Sequence, residues 1–132
     1  MPLTLEPLAS SVRVGRHWVL DQASTARVPQ TALPVIELLA GEILTNAILH
    51  GSLGQPVTIK ACLSDDLFGV AVLDRSPDHP LLLQPDTTAP GGRGIMLIDM
   101  LATEWGCHVL DSHGKSVWFQ LAVNVQMRLG QP

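Results

Sequence analysis

Charge is scarce in this sequence. Only 15% of its residues are charged, against 46% that are hydrophobic. That balance excludes a chain held open by its own charge and describes a compact globular protein. Positive charge is scarcer still: eight Lys and Arg face twelve Asp and Glu, the net charge is −4, and no basic run occurs. General nucleic-acid binding needs a positive footprint, so that class is excluded. A single nucleotide is not, because a few backbone amides and one cation hold it. Cysteine is limited to Cys62 and Cys107, each inside a predicted strand. Two isolated cysteines predict buried free thiols rather than a disulfide framework. His17, His50, His79, His108 and His113 show no zinc spacing with them. No apolar run reads as long enough to span a bilayer, and the N-terminus (MPLTLEPLASS) lacks a charged region followed by an apolar one. No membrane span or signal peptide is expected, and the predicted location is cytoplasmic. The length predicts one domain over residues 1–132.

Against that background the stretch ELLAGEILTNAILHG, residues 37–51, stands out. It is an apolar helix pattern carrying Glu42 and Asn46 four residues apart, one above the other on a helix face. Leu38, Leu39, Ile43 and Ala47 are read as their neighbours on a core-facing stripe. Pro34 suits the first turn of this helix and Gly51 its end. An earlier helix is predicted from a Ser10 or Ser11 cap, with Val12, Gly15, Val19 and Ala23 inward. Leu3–Leu5 reads as an edge strand between Pro2 and Pro7. Residues 56–63 and 67–73 read as strands about a Ser64-Asp65-Asp66 turn. Residues 75–91, with four prolines, read as a loop. A helix follows over 95–103, with Ile95, Ile98, Leu101 and Ala102 inward. Residues 105–110 and 116–123 form a predicted hairpin. Strands joined by short turns are antiparallel. The predicted fold is therefore α+β, a two-layer sandwich of a mixed, largely antiparallel sheet with helices on one face.

Four features suit chemistry, and each has a plain structural reading beside it. The carboxamide oxygen of Asn46 is a neutral hard ligand for Mg²⁺, and a carboxylate one turn earlier orients or deprotonates a hydroxyl. Equally, a helix can simply expose two polar side chains. Asp74, at a strand end, can accept from an exocyclic amine, or it can form a turn within Asp74-Arg75-Ser76-Pro77. Gly91-Gly92-Arg93-Gly94 opens a helix, where backbone amides and Arg93 suit an anion. It is neither a P-loop nor a dinucleotide fingerprint. In Gly114-Lys115-Ser116, Ser116 can reach a base edge, or the three residues are a hairpin turn.

The order of these features resembles the ATP-binding domain shared by gyrase, histidine kinases and MutL, the Bergerat fold or GHKL superfamily. ELLAGEILTNAILHG, VLDRSP, GGRGIMLIDMLATEWG and GKSVWFQL look most like the anti-sigma-factor serine kinases and their stand-alone relatives. The resemblance runs from about Ser11 to Ala122. It implies that Asn46 holds a Mg²⁺ bridging the phosphates of ATP and that Glu42 is the catalytic base. It implies that Asp74 bonds the adenine amine and that Gly92, Arg93 and Gly94 line the phosphates. Ser116 takes the hydroxyl position near adenine, and His50 lies near the phosphates. Arg75-Ser76 stands where the superfamily often has x-Gly, and the short proline-rich loop 77–90 takes the place of the ATP lid. The implied activity is phosphorylation of a serine on a STAS-type anti-anti-sigma partner, with a sigma factor as second partner and a homodimer as the form. The alternative is a non-catalytic nucleotide-binding regulator that switches partners. The catalytic domain of a histidine kinase is a third reading, and the sequence shows no preceding helical pair with a phospho-accepting histidine.

Overall fold

A computed structural model describes residues 2–51, 54–75, 90–110 and 114–123, with the backbone alone for 50, 51 and 90–95. In chain order the elements are β1 (Leu3–Leu5), α1 (Ser10–Thr25), α2 (Leu33–Thr45), β2 (Val57–Ser64), β3 (Leu67–Asp74), α3 (Pro90–Leu101), β4 (Glu104–Val109) and β5 (Lys115–Ala122). A 3-10 turn, Gln30–Ala32, leads into α2, and a π-helical turn, Asn46–Gly51, continues from its end.

The five strands form one sheet in the order β1-β2-β3-β5-β4. All four ladders are antiparallel, so the expected mixture reduces to antiparallel pairing alone. β2 and β3 join through Asp65 and Asp66, and Asp65 takes φ 55°, as a tight hairpin turn requires. Side chains alternate between faces along a strand. Val57 and Ile59, Phe68, Val70 and Val72, and Val117 and Phe119 therefore share one face, and all are buried there. Helices α1 and α2 cover that face, and α3 packs on α2. The two-layer α+β sandwich is as the sequence indicates.

Local differences have physical causes. α1 has no serine cap: Ala9 precedes it without a side-chain bond, and Ser10 already lies in its first turn. The helix ends where Arg27 adopts φ 64°, and the amides of Ala26, Arg27 and Val28 bond back to Gln22, Ser24 and Ala23 carbonyls. Val12 is only partly buried, whereas Gly15, Val19 and Ala23 are buried as expected. A Cβ at Gly15 would lie 2.6 Å from Leu44 Cδ1, so a larger residue there would force the buried Leu44 side chain to shift.

α2 holds Pro34 in its first turn and buries Ile36, Leu39, Ala40, Ile43 and Leu44. Leu38 is not on that stripe; it is 41% exposed, on the opposite margin. The helical run Gln30–Leu49 has 20 residues and a mean hydropathy of 1.6, long and apolar enough by length and composition to cross a membrane. That corrects the expectation that no such run exists. Its apolar side packs against α1 and the sheet, as a core helix does.

α3 begins at Pro90, so the Gly91–Gly94 backbone is already helical rather than preceding the helix. Ile98 is buried and Ala102 packs at the core edge, but Leu101 is 37% exposed. Thr103 ties the end of α3 to β5: its amide donates to Gln120 and its Oγ1 accepts from Ala122 N–H. Neither cysteine is disulfide-bonded. Cys62 points outward from β2 and is exposed, contrary to the expected burial, because its strand phase opposes Ile59.

Candidate functional site

Glu42 on α2 and Asn46, the residue that caps its end, are both half-buried. Asn46 Nδ2 donates to the Glu42 carbonyl oxygen at 3.0 Å, a bond one turn back along the helix. That bond uses one amide hydrogen of the carboxamide and leaves Oδ1 as an acceptor. Among the described residues nothing donates to Oδ1. Thr45 makes the corresponding bond, Oγ1 to the Gly41 carbonyl at 2.7 Å. Asn46 also stands where the backbone changes from α to π winding, and π turns inside helices are frequent at functional sites. The π turn packs on β3, whose last residue is Asp74.

Glu42 has surroundings of its own. It lines a cleft of about 330 Å³ between α1 and α2, together with Arg16, Glu37, Gly41 and Thr45. Arg16 lies across Gly41, where a Cβ would come within 3.0 Å of its Cδ, and its buried Nε has no hydrogen-bond partner. No ion pair joins Arg16 to Glu42 among the described residues.

Asp74 is buried, at 3% exposure, at the end of β3. It is directly opposite Lys115, the first residue of β5. Lys115 Nζ lies 3.1 Å from both Asp74 Oδ1 and Asp74 Oδ2, with side-chain exposures of 6% and 1% for Lys115 and Asp74. The two carry opposite charges out of water together, which is tolerable only because each compensates the other. Gly114 makes this approach possible. It has φ +123°, and a Cβ there would overlap the Asp74 carbonyl oxygen.

Ser116 does not join this group. It pairs with Leu73 and His108, one residue out of phase with Asp74, so its side chain is on the helix-free face of the sheet. That corrects its expected place beside a base at Asp74. The residue that shares the face is Lys115, which the sequence reading passed over. A signal for it exists: Lys115, Val117, Phe119 and Leu121 alternate in phase, and three of the four are core-type. The helix-free face carries its own trough of about 490 Å³, lined by Lys60, Cys62, Gly69, Ala71, Trp118 and Gln120.

Gly92, Arg93 and Gly94 lie in the first turns of α3, and α3 packs on α2, the helix that ends where Asn46 begins the π turn. The side chains of Arg93 and His50 lie outside the described residues, as does the loop 76–89. Among the described residues no group of three or more His, Cys, Asp or Glu is placed to hold a metal ion. A cation at Asn46 therefore needs most of its oxygens from water or from a bound ligand. Mg²⁺ is coordinated in that way, and the available Oδ1 fits it.

Comparison with known proteins matches residues 5–121 to the histidine kinase-like ATPase domain family. No curated protein sequence matches the chain. Among solved structures, the RsbU and RsbW domains of Rv1364c from Mycobacterium tuberculosis superimpose with a TM-score of 0.68 at 15% identity, covering 93% of this chain and 32% of that one. The histidine kinase domain of the Erythrobacter litoralis EL346 blue-light activated histidine kinase gives 0.56 at 23% identity, covering 74% and 48%. The Acinetobacter baumannii histidine kinase AdeS gives 0.57 at 16%, covering 94% and 68%. The chain thus spans about a third of the first of these proteins and about half of the second. At such identities the likeness is one of fold.

Proposed function

The chain belongs to the histidine kinase-like ATPase domain family, and on that premise we propose that it binds ATP with Mg²⁺ and acts as a regulatory serine/threonine kinase of the anti-sigma type. The observation that carries the reading is Asn46. Its Nδ2 is held by the Glu42 carbonyl and its Oδ1 is left to a ligand, on a turn packed against the strand that ends in Asp74. Bound ATP would supply the phosphoryl group, and Mg²⁺ would offset its charge. Asn46 Oδ1 is the proposed protein ligand to the metal. The amides at the start of α3 lie at a helix N-terminus, where anions are favoured, so Gly92, Arg93 and Gly94 are the proposed phosphate contacts. His50 is proposed beside them. Asp74 is the proposed acceptor for the adenine amine. Glu42 is the proposed base for a serine hydroxyl on a STAS-type partner, with a sigma factor as the alternative partner. A homodimer in the cytoplasm is the proposed form.

The surroundings of Glu42 favour a second reading. Glu42 lines the α1–α2 cleft with Arg16, and its carboxylate makes no bond to Asn46 or Asp74 among the described residues. That suits a regulator whose nucleotide occupancy selects a partner without phosphoryl transfer. Incubation with γ-labelled ATP and the cognate STAS protein separates the two. Label on the partner serine, lost in Glu42→Gln, supports the kinase. ATP binding with no transfer to the correct partner leaves the regulator.

A further inference from the structure

We propose that Lys115 reads the base alongside Asp74, donating to the ring nitrogen that neighbours the exocyclic amine. The inference rests on the proposed role of Asp74 at the base. A carboxylate alone accepts hydrogen bonds, so it reads only the amine donor of adenine. Here the carboxylate is joined by an ammonium 3.1 Å from each of its oxygens, on the next strand and the same face. An ammonium has three donors. Among the described residues Asp74 is its only partner, so donor capacity is left over. The buried pair thus presents an acceptor and a donor side by side, about one hydrogen-bond length apart.

That arrangement is the complement of one edge of a 6-aminopurine. N6 donates and the adjacent N1 accepts. N6–H to an Asp74 oxygen and Lys115 Nζ–H to N1 close a ring of four polar atoms, and all three of its hydrogen bonds are charge-assisted. A carboxylate by itself leaves N1 to solvent. The exposures of 1% and 6% put both side chains of the pair out of contact with bulk water. The contacts are then made away from water, where a missing partner is felt most. Lys115 is positioned for this by strand phase and by Gly114, whose missing Cβ lets β5 start against the Asp74 backbone.

The test compares three nucleotides on the intact chain by calorimetric titration with Mg²⁺: ATP, 1-deaza-ATP, in which N1 is replaced by C–H, and purine riboside triphosphate, which lacks the amine. 1-Deaza-ATP is expected to bind about tenfold or more weakly than ATP, the scale of one lost bond to a charged group. In Lys115→Met the difference between ATP and 1-deaza-ATP is expected to vanish, while the penalty for the missing amine remains. Equal affinity of the wild-type chain for ATP and 1-deaza-ATP overturns the role of Lys115, whatever the variant does. The same holds if the 1-deaza penalty persists undiminished in Lys115→Met. If that variant does not fold, the wild-type comparison decides alone. Equal affinity for ATP and purine riboside triphosphate instead removes Asp74 from the base, and the inference falls with it.

Discussion

Replacing Asp74 by Leu should damage the fold before it damages any ligand contact. The Lys115 ammonium would remain in a site where its side chain is 6% exposed, with its only described partner gone. Removing one member of a buried ion pair costs about 3–5 kcal/mol, because the other charge is left without compensation. Lys115→Met alone should cost on the same scale, softened by whatever else Asp74 contacts. The double variant Asp74→Leu/Lys115→Met should recover most of the loss, since apolar residues of similar volume replace such pairs at little or no cost. Urea unfolding followed by circular dichroism reads this directly. With a slope of about 2 kcal/mol per M, each single variant should lower the midpoint by roughly 2 M. Single losses below about 1 kcal/mol, or a double variant whose loss equals the sum of the singles, would refute the claim that the pair is buried and coupled. Nucleotide binding by an Asp74 single variant therefore confounds stability with recognition.

Asn46→Ala should remove most of the Mg²⁺ dependence of nucleotide affinity while costing only about 1 kcal/mol of stability for the lost bond to the Glu42 carbonyl; parallel titrations with Mg²⁺ and with chelator check it. Gly114→Ala should lower the melting temperature sharply, because φ +123° and the overlap with the Asp74 carbonyl cannot both be relieved without moving the start of β5. Cys62 should alkylate before Cys107 in timed iodoacetamide labelling read by mass spectrometry. Cys62 is exposed, whereas partial burial pushes the Cys107 thiol up from its ordinary value despite the opposing Lys115 charge. Faster labelling of Cys107 would contradict the exposed phase of β2.

Much of the fold was legible because each element carries its own period. Phe68, Val70 and Val72 alternate into the core, and Ile36, Leu39, Ala40 and Ile43 repeat at helical spacing. Both patterns depend only on local geometry, so the sequence shows them. The β2–β3 and β4–β5 ladders followed from short connections, whereas β1–β2 and β3–β5 pair across intervening helices. What was not legible depends on register between strands far apart in sequence. Asp74 and Lys115 are 41 residues apart and meet only because β3 and β5 are neighbours with no element between them. A motif-based reading settled on the hydroxyl of Ser116, yet a shift of one residue in phase sends it to the other face. Leu38 was misplaced for a related reason: an apolar side chain beside Glu42 on a helix map need not face the core when α1 covers only part of that margin. The left-handed Arg27 that ends α1 had no glycine to announce it.

The proposed function turns on a nucleotide held by a metal at Asn46, and one calorimetric titration of the purified chain tests it most directly. ATP is expected to bind with Mg²⁺ present and substantially more weakly when the metal is chelated. Absence of ATP binding under both conditions, in a chain shown by circular dichroism to be folded, would contradict it.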